Sequence, residues 1–210
     1  ALAPAGVDTL VKSGHSVFIE TNAGLESHFT DESYRRVGAN IVYSAEEVYQ
    51  RAEIIVKIAP FSETEVDLVQ DEQIIFSFLH LAVGKKNIIE KLLAKKNIAI
   101  AYELIEKGEH LPILQSMSEI AGQLAVQEGE RFLCSDIPNS RGILMGGITG
   151  VAPAAVVIVG AGVVGFTAAR AAYARGAHVI VLDKDLRRLR RIETDISNNI
   201  TTVAANPYTI

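Results

Sequence analysis

Apolar residues fall into two kinds of pattern along this chain. Short β-rich runs, Ser16 to Glu20, Ile41 to Tyr43, Ile54 to Ile58, Ile74 to Leu79 and Ile98 to Tyr102, form one kind. Between them lie segments with helical spacing: Pro4 to Ser13, Thr30 to near Gly38, Ala45 to Arg51, Glu63 to Val69 and Lys86 to Lys96. Strands alternating with short helices predict a parallel sheet covered on both faces. Right-handed crossovers then bring the C-terminal ends of all the strands to one edge, where open α/β sheets hold their ligands. Three places gain weight by this rule: Lys57 to Pro60, His80 to Gly84, and Tyr102 with Glu103.

Past that region the pattern changes. Ser116 to Leu133 is one long amphipathic segment with Ile120, Leu124 and Phe132 on related faces, and Ser118 with Glu119 has the chemistry of a helix start. The glycine-rich stretch Ser140 to Pro153 lacks periodicity and reads as a loop. Helix and loop together read as a connection between domains. No internal repeat or low-complexity tract is visible.

Next comes the most informative stretch, Ala155 to Asp183. An apolar run, Ala155 to Val159, stops at Gly160-Ala161-Gly162 and gives way to a helix-period segment from Val163 to Arg175. Gly160, Gly162 and Gly165 stand in G-x-G-x-x-G spacing. The first permits a sharp strand-to-helix turn, the second lets a pyrophosphate approach the backbone, and the third lets helix and strand pack closely. N–H groups of the first helical turn, those of Val163 and Val164 among them, then face the phosphates with the helix dipole behind them. A second strand, His178 to Leu182, ends on Asp183, roughly the 20 residues further on that a dinucleotide-binding unit requires. A carboxylate there accepts hydrogen bonds from the adenine ribose hydroxyls and repels a 2′-phosphate, so NAD is expected over NADP. Lys184, Arg187 and Arg188 compete with that reading. With Arg190 and Arg191 they read mainly as the solvated face of a helix whose buried stripe is Leu186, Leu189 and Ile192.

Composition changes this picture little. Of the 210 residues 49% are hydrophobic and 21% charged, which excludes a disordered chain, and a net charge of −5 without a basic arm argues against nucleic acid. No apolar run approaches the roughly 18 residues of a membrane span. The single cysteine, Cys134, cannot pair within the chain and reads as a buried structural thiol, which suits a reducing compartment. No metal is expected.

Two side chains stand out at the strand ends. Lys57 is an ammonium at the end of an apolar strand, read either as a snorkelling side chain or as a cation for a substrate oxygen or carboxylate. Of the five histidines only His80 closes a strongly apolar strand, where it is either a satisfied core residue or an acid/base. Adjacent parallel strands would bring the two side chains to the same edge.

Taken in order, IVKIAP, FSFLHLA, AYELIE, MSEIAGQLAVQEGERFL, GILMGGITGV and VGAGVVG resemble the bacterial alanine dehydrogenases along essentially the whole chain. The resemblance implies two doubly wound parallel-sheet (Rossmann-like) α/β domains: residues 1–118 as the N-terminal part of a substrate domain, 119–154 as the connection, and 155–210 as an incomplete NAD-binding domain. It implies a cytoplasmic homo-oligomer, usually a hexamer, that reversibly oxidises L-alanine to pyruvate and ammonia with NAD. Carried over by motif, Lys57 would bind the substrate, His80 would be the acid/base, Met117 would line the pocket and Ser118 would contact the cofactor. In the reductive direction a protonated His80 would polarise the ketone of pyruvate, ammonia would add, and the imine would accept hydride.

There are departures from the family pattern. The chain opens at ALAPAG, inside a family motif whose preceding arginine clamps the substrate carboxylate, and it ends at NPYTI, before the family's later acidic catalytic residue. The isolated 210 residues are therefore expected not to turn over alanine, and to leave an apolar sheet face uncovered. Phe78 stands where relatives carry a hydroxylated aromatic. Two other classes compete: the nucleotide-binding subunit of a proton-translocating NAD(P) transhydrogenase, which lacks the histidine, and a relative that only binds NAD as a sensor.

Overall fold

The computed structural model describes residues 2–209. The chain divides into two compact units, Ala1–Leu111 and Pro112–Ile210.

The first unit runs α1 (Pro4–Lys12), β1 (Phe18–Glu20), α2 (Asp31–Arg35), β2 (Asn40–Val42), α3 (Ala45–Arg51), β3 (Ile54–Val56), α4 (Glu65–Leu68), β4 (Ile74–Ser77), α5 (Lys86–Ala94) and β5 (Ile98–Ala101). Side-chain oxygens open two of the helices: Thr30 accepts the Ser33 N–H ahead of α2 and Ser44 accepts the Glu47 N–H ahead of α3. All strand pairs are parallel. β1 lies beside β2 with Ile19 opposite Ile41, and β3, β4 and β5 form a second sheet in that order. Ile55 and Ile75 bury against Val66 and Leu92 from the helices and against Val69 just after α4, while Val7, Tyr34 and Ala39 close the smaller core. The strands are shorter than their apolar runs. β4 stops at Ser77, so Phe78 and Leu79 are buried beyond the ladder rather than in it.

The second unit runs α6 (Pro112–Leu133), β6 (Ala155–Val159), α7 (Val163–Ala174), β7 (His178–Asp183), α8 (Leu186–Asp195) and β8 (Thr201–Ala204), with a parallel sheet in the order β6-β7-β8. Its core is built of small and β-branched side chains: Ala168, Ala169, Ala172, Val179, Val181, Leu189 and Ile192. Both units are α/β with parallel, Rossmann-like sheets, as expected.

Four expectations differ from the structure. The long helix starts at Pro112 rather than Ser116, so Ser118 lies inside it and caps nothing. Its packing face is not the Ile120, Leu124 and Phe132 stripe, all three being exposed, but Gly122 and Val126. A β-carbon on Gly122 would lie 2.6 Å from the Val164 carbonyl oxygen, so the absent side chain is what brings α6 against α7. In α8, Leu189 and Ile192 are buried but Leu186 is exposed, and Cys134 is an exposed thiol rather than a core one.

One face of β6 is open, as expected, with Val157 58% and Val159 69% exposed. Among the described residues no helix is long and apolar enough to cross a membrane.

Candidate functional site

In the second unit the glycine motif turns the chain from β6 into α7. Gly160 has φ +101°, a conformation that side chains with a β-carbon rarely adopt. A β-carbon on Gly165 would lie 1.8 Å from the Gly160 carbonyl oxygen, so this position admits nothing but glycine unless the loop moves. Gly162 is the N-cap, and a β-carbon there would meet only Arg188 Nη1, at 3.9 Å. The first intrahelical bond runs from the Phe166 N–H to the Gly162 carbonyl at 2.8 Å. The N–H groups of Val163, Val164 and Gly165 precede it and lie at the positive end of a 12-residue helix. This geometry suits a phosphate group.

Asp183 ends β7 and is only 7% exposed. Its Oδ2 accepts the Ala161 N–H at 2.6 Å and its Oδ1 accepts the Asp185 N–H at 2.8 Å. Those two N–H groups, with Arg188 adding a little, hold the carboxyl below the ordinary aspartate range against the opposing pull of burial and of Asp185. Each carboxylate oxygen has two lone pairs, so both retain capacity for a ribose hydroxyl. Arg188 is exposed, in keeping with a solvated face on α8, and its guanidinium comes within 3.9 Å of both Asp183 and Asp185.

Met117 and Ser118 also belong to this unit, on α6. Met117 is exposed and Ser118 half-buried. Ser118 shares a helix face with Gly122, four residues on, which rests against the first turn of α7.

In the first unit Lys57 and His80 both follow the C-terminal ends of adjacent parallel strands, β3 and β4, whose register pairs Val56 with Phe76. Lys57 is not free. Its side chain is 18% exposed, forms an ion pair with Glu65, donates to the Pro60 carbonyl at 3.3 Å, and lies 4.9 Å from the Phe61 ring centre. Burial of Glu65 works to raise its carboxyl, but hydrogen bonds from Lys57 and from the Ser62 N–H, 2.8 Å away, outweigh it and leave the carboxyl below the ordinary range. Spacing alone pointed to the need for a partner and did not find Glu65, which is eight residues away.

His80 is exposed, in a left-handed turn with φ +47°. Its ring stacks on buried Phe78 at 5.8 Å, and Phe78 meets the edge of Tyr102 at 5.4 Å. Behind the turn, Glu103 accepts the His80 N–H at 2.6 Å and the Leu79 N–H at 3.3 Å. Pro60, Phe61, Leu79, His80, Ile88 and Leu92 line a mostly apolar hollow of about 320 Å³, so the loops after β3 and β4 converge there. Among the described residues no three metal-ligating side chains cluster.

Comparison with known proteins supplies the remaining observations. The family model described as alanine dehydrogenase/PNT, N-terminal domain, matches residues 1–121, and that described as alanine dehydrogenase/PNT, C-terminal domain, matches residues 125–210. The alanine dehydrogenase of Methanococcus maripaludis is 43% identical over 211 residues, which cover 100% of this chain and 56% of that protein. That of Mycobacterium tuberculosis is 39% identical over 209 residues, covering 99% and 56%. A solved L-alanine dehydrogenase superposes with a TM-score of 0.88 at 42% identity, covering 98% of this chain and 56% of the other. The transhydrogenase of Sinorhizobium meliloti shares the fold, with a TM-score of 0.77 at 22% identity over 96% of this chain and 59% of its own. The chain thus spans a little over half the length of the relatives it matches.

Proposed function

The chain belongs to the alanine dehydrogenase/PNT family, and from that membership we propose that it contributes to an enzyme that reversibly oxidises L-alanine to pyruvate and ammonia. The observation that carries the reading is the pairing at one sheet edge of an ion-paired lysine after β3 with a histidine in a left-handed turn after β4. Relatives named alanine dehydrogenase at 39–43% identity support it over the transhydrogenase alternative, for which the likeness is one of fold.

In this reading residues 1–118 belong to the substrate domain, 119–154 to the connection and 155–210 to the nucleotide domain. Gly160, Gly162, Val163, Val164, Gly165 and Asp183 would hold NAD, with Ser118 beside it. Loop conformation, free first-turn N–H groups and the spare lone pairs of Asp183 all suit a dinucleotide. Bound there, the nicotinamide supplies a hydride acceptor. Lys57, ion-paired with Glu65, binds the substrate's carboxylate or carbonyl oxygen, and Met117 lines the pocket. His80 takes the proton released as the substrate nitrogen and then oxygen change charge, a task suited to the side chain whose ordinary titration lies near neutrality. The subunit assembles as a homo-oligomer, a hexamer by resemblance, in the cytoplasm.

The test is NADH absorbance in the full gene product that carries these residues, supplied with NAD and a panel of small L-amino acids, beside a His80→Ala variant. Alanine-dependent NADH that vanishes in the variant is the expected result. Nucleotide binding with no amino-acid-dependent reduction would overturn the reading and favour a transhydrogenase or a binding module.

A further inference from the structure

We propose that Glu103 is a positioning residue for His80: from the end of β5 its carboxylate clasps the two consecutive backbone N–H groups that set the turn after β4, and so aims the imidazole. The inference rests on the proposed acid/base role of His80. The clasp itself is a matter of geometry.

β5 lies beside β4 with Ala101 opposite Ser77, and the short helical turn Tyr102–Leu104 begins at once. Glu103 therefore comes off the sheet edge level with the turn that carries His80. Its Oε1 takes the His80 N–H at 2.6 Å and its Oε2 takes the Leu79 N–H at 3.3 Å. Each N–H thus has its own carboxylate oxygen, and the charge strengthens both bonds beyond what a neutral hydroxyl or amide would give. Among the described residues no cation pairs with Glu103. Its charge is spent on the backbone.

What it holds would not hold itself. With φ +47° at His80, a conformation uncommon outside glycine, the turn persists only where its surroundings determine it. The same turn is closed from the other side by the Val83 N–H, which donates to the His80 carbonyl at 2.9 Å. Glu103 anchors the backbone, and the neighbouring Tyr102 supports Phe78, on which the imidazole lies with an interplanar angle of 17°. Backbone and ring are thus both set from the end of β5.

The experiment uses the full gene product. Glu103→Ala is expected to lower kcat for alanine on the order of 10–100-fold, the effect of misplacing a catalytic group by an ångström or so, with the Kd for NADH unchanged. Glu103→Gln, which keeps one acceptor oxygen for the shorter bond, is expected to recover most of that loss. In a His80→Ala background, adding Glu103→Ala is expected to change the residual rate by less than about twofold, because the residue it acts through is gone. An equal loss in both backgrounds, or an undiminished kcat in Glu103→Ala, would overturn the proposal. Amide hydrogen exchange separates the clasp from the chemistry. Exchange at Leu79 and His80 should quicken in Glu103→Ala whether or not alanine is the substrate, and unchanged exchange at both overturns the clasp. A His80→Ala enzyme that keeps its full rate would instead sink the acid/base reading, with the exchange result standing apart.

Discussion

Asp183 is the most exacting test of the nucleotide half of this chain, because one carboxylate is asked to do two things. It pins the glycine loop through the Ala161 N–H at 2.6 Å and the start of the next segment through the Asp185 N–H at 2.8 Å. In Asp183→Asn the side chain keeps its shape and one acceptor oxygen, so one of the two N–H groups must face an amide that is itself a donor. Hydrogen bonds to charged groups contribute about 1.5–3 kcal/mol each, and Ala161 is buried, so the expected loss is about that of one such bond. Arg188, 3.9 Å away and exposed, adds little. The assay is urea unfolding of wild type and variant, and a difference below about 0.5 kcal/mol, the range of an indifferent surface change, would refute the reasoning.

The sign of the pH dependence follows from the same contacts. The folded carboxyl titrates below its unfolded value, so its contribution is fully present above that unfolded value, about 3.9, and is lost as pH falls through the folded one. Wild type and Asp183→Asn should therefore converge in stability under acid, and a gap that widened there would contradict the assignment. For the second task, Asp183→Ser removes the charge that repels a 2′-phosphate. Its preference for NAD over NADP should fall, and a variant that kept the full preference would end the ribose assignment.

Other outcomes are equally specific. Gly165→Ala sets a methyl 1.8 Å from the Gly160 carbonyl oxygen, so it should abolish NADH binding in a fluorescence titration; retained affinity would mean that the loop moves freely. Gly122→Ala puts a methyl 2.6 Å from the Val164 carbonyl oxygen and 2.7 Å from Thr167 Cβ, and forcing α6 off α7 should cost about 1–3 kcal/mol, read as a lower Tm. Lys57→Met should raise KM for alanine tenfold or more, the worth of roughly one charged hydrogen bond, while NADH affinity holds; an unchanged KM would leave Lys57 a structural partner of Glu65.

Those features of the fold that depend on periodicity could be read from the sequence, and those that depend on close approach could not. The β-rich runs and the spacing between them predicted parallel strands and short helices, and the glycine spacing with Asp183 predicted a strand, turn, helix and strand. The face of α6 was misread because the rule followed large apolar residues, whereas α6 packs on α7 through Gly122 and Val126. Leu186 is exposed although it continues a helical stripe, since the stripe narrows to Leu189 and Ile192 in the first turns of a helix rich in arginine. Glu65 is an ordinary acidic residue by any local rule, and Glu103 gained weight only from its place after a strand end, with nothing to say what it would hold. The turn from β3 into α4 makes one a partner of Lys57, and the parallel register that sets the end of β5 beside the turn after β4 makes the other a clamp on His80.

These carboxylates follow one physical logic. A parallel strand that turns sharply at its C-terminal end leaves backbone N–H groups without ladder partners, and near a buried edge those groups must find acceptors. At three such ends the turn contains a residue with positive φ, and a carboxylate from elsewhere in the same unit takes the neighbouring N–H. After β1, Asn22 has φ +63° and its N–H goes to Asp31 at 2.8 Å, with the Thr21 hydroxyl donating to the same carboxylate at 2.7 Å. After β4, His80 at φ +47° is held by Glu103, and after β6, Gly160 at φ +101° precedes the N–H of Ala161 that Asp183 accepts. An aspartate or glutamate is the economical solution, since it supplies two oxygens and a charge that strengthens each bond. The outcomes differ in what the turn carries: a loop in the first case, a titratable ring in the second, and a ready cradle for phosphate in the third. In each case a carboxylate nine or more residues away holds the backbone of the turn, and two of these three turns carry the residues to which the proposed chemistry is assigned.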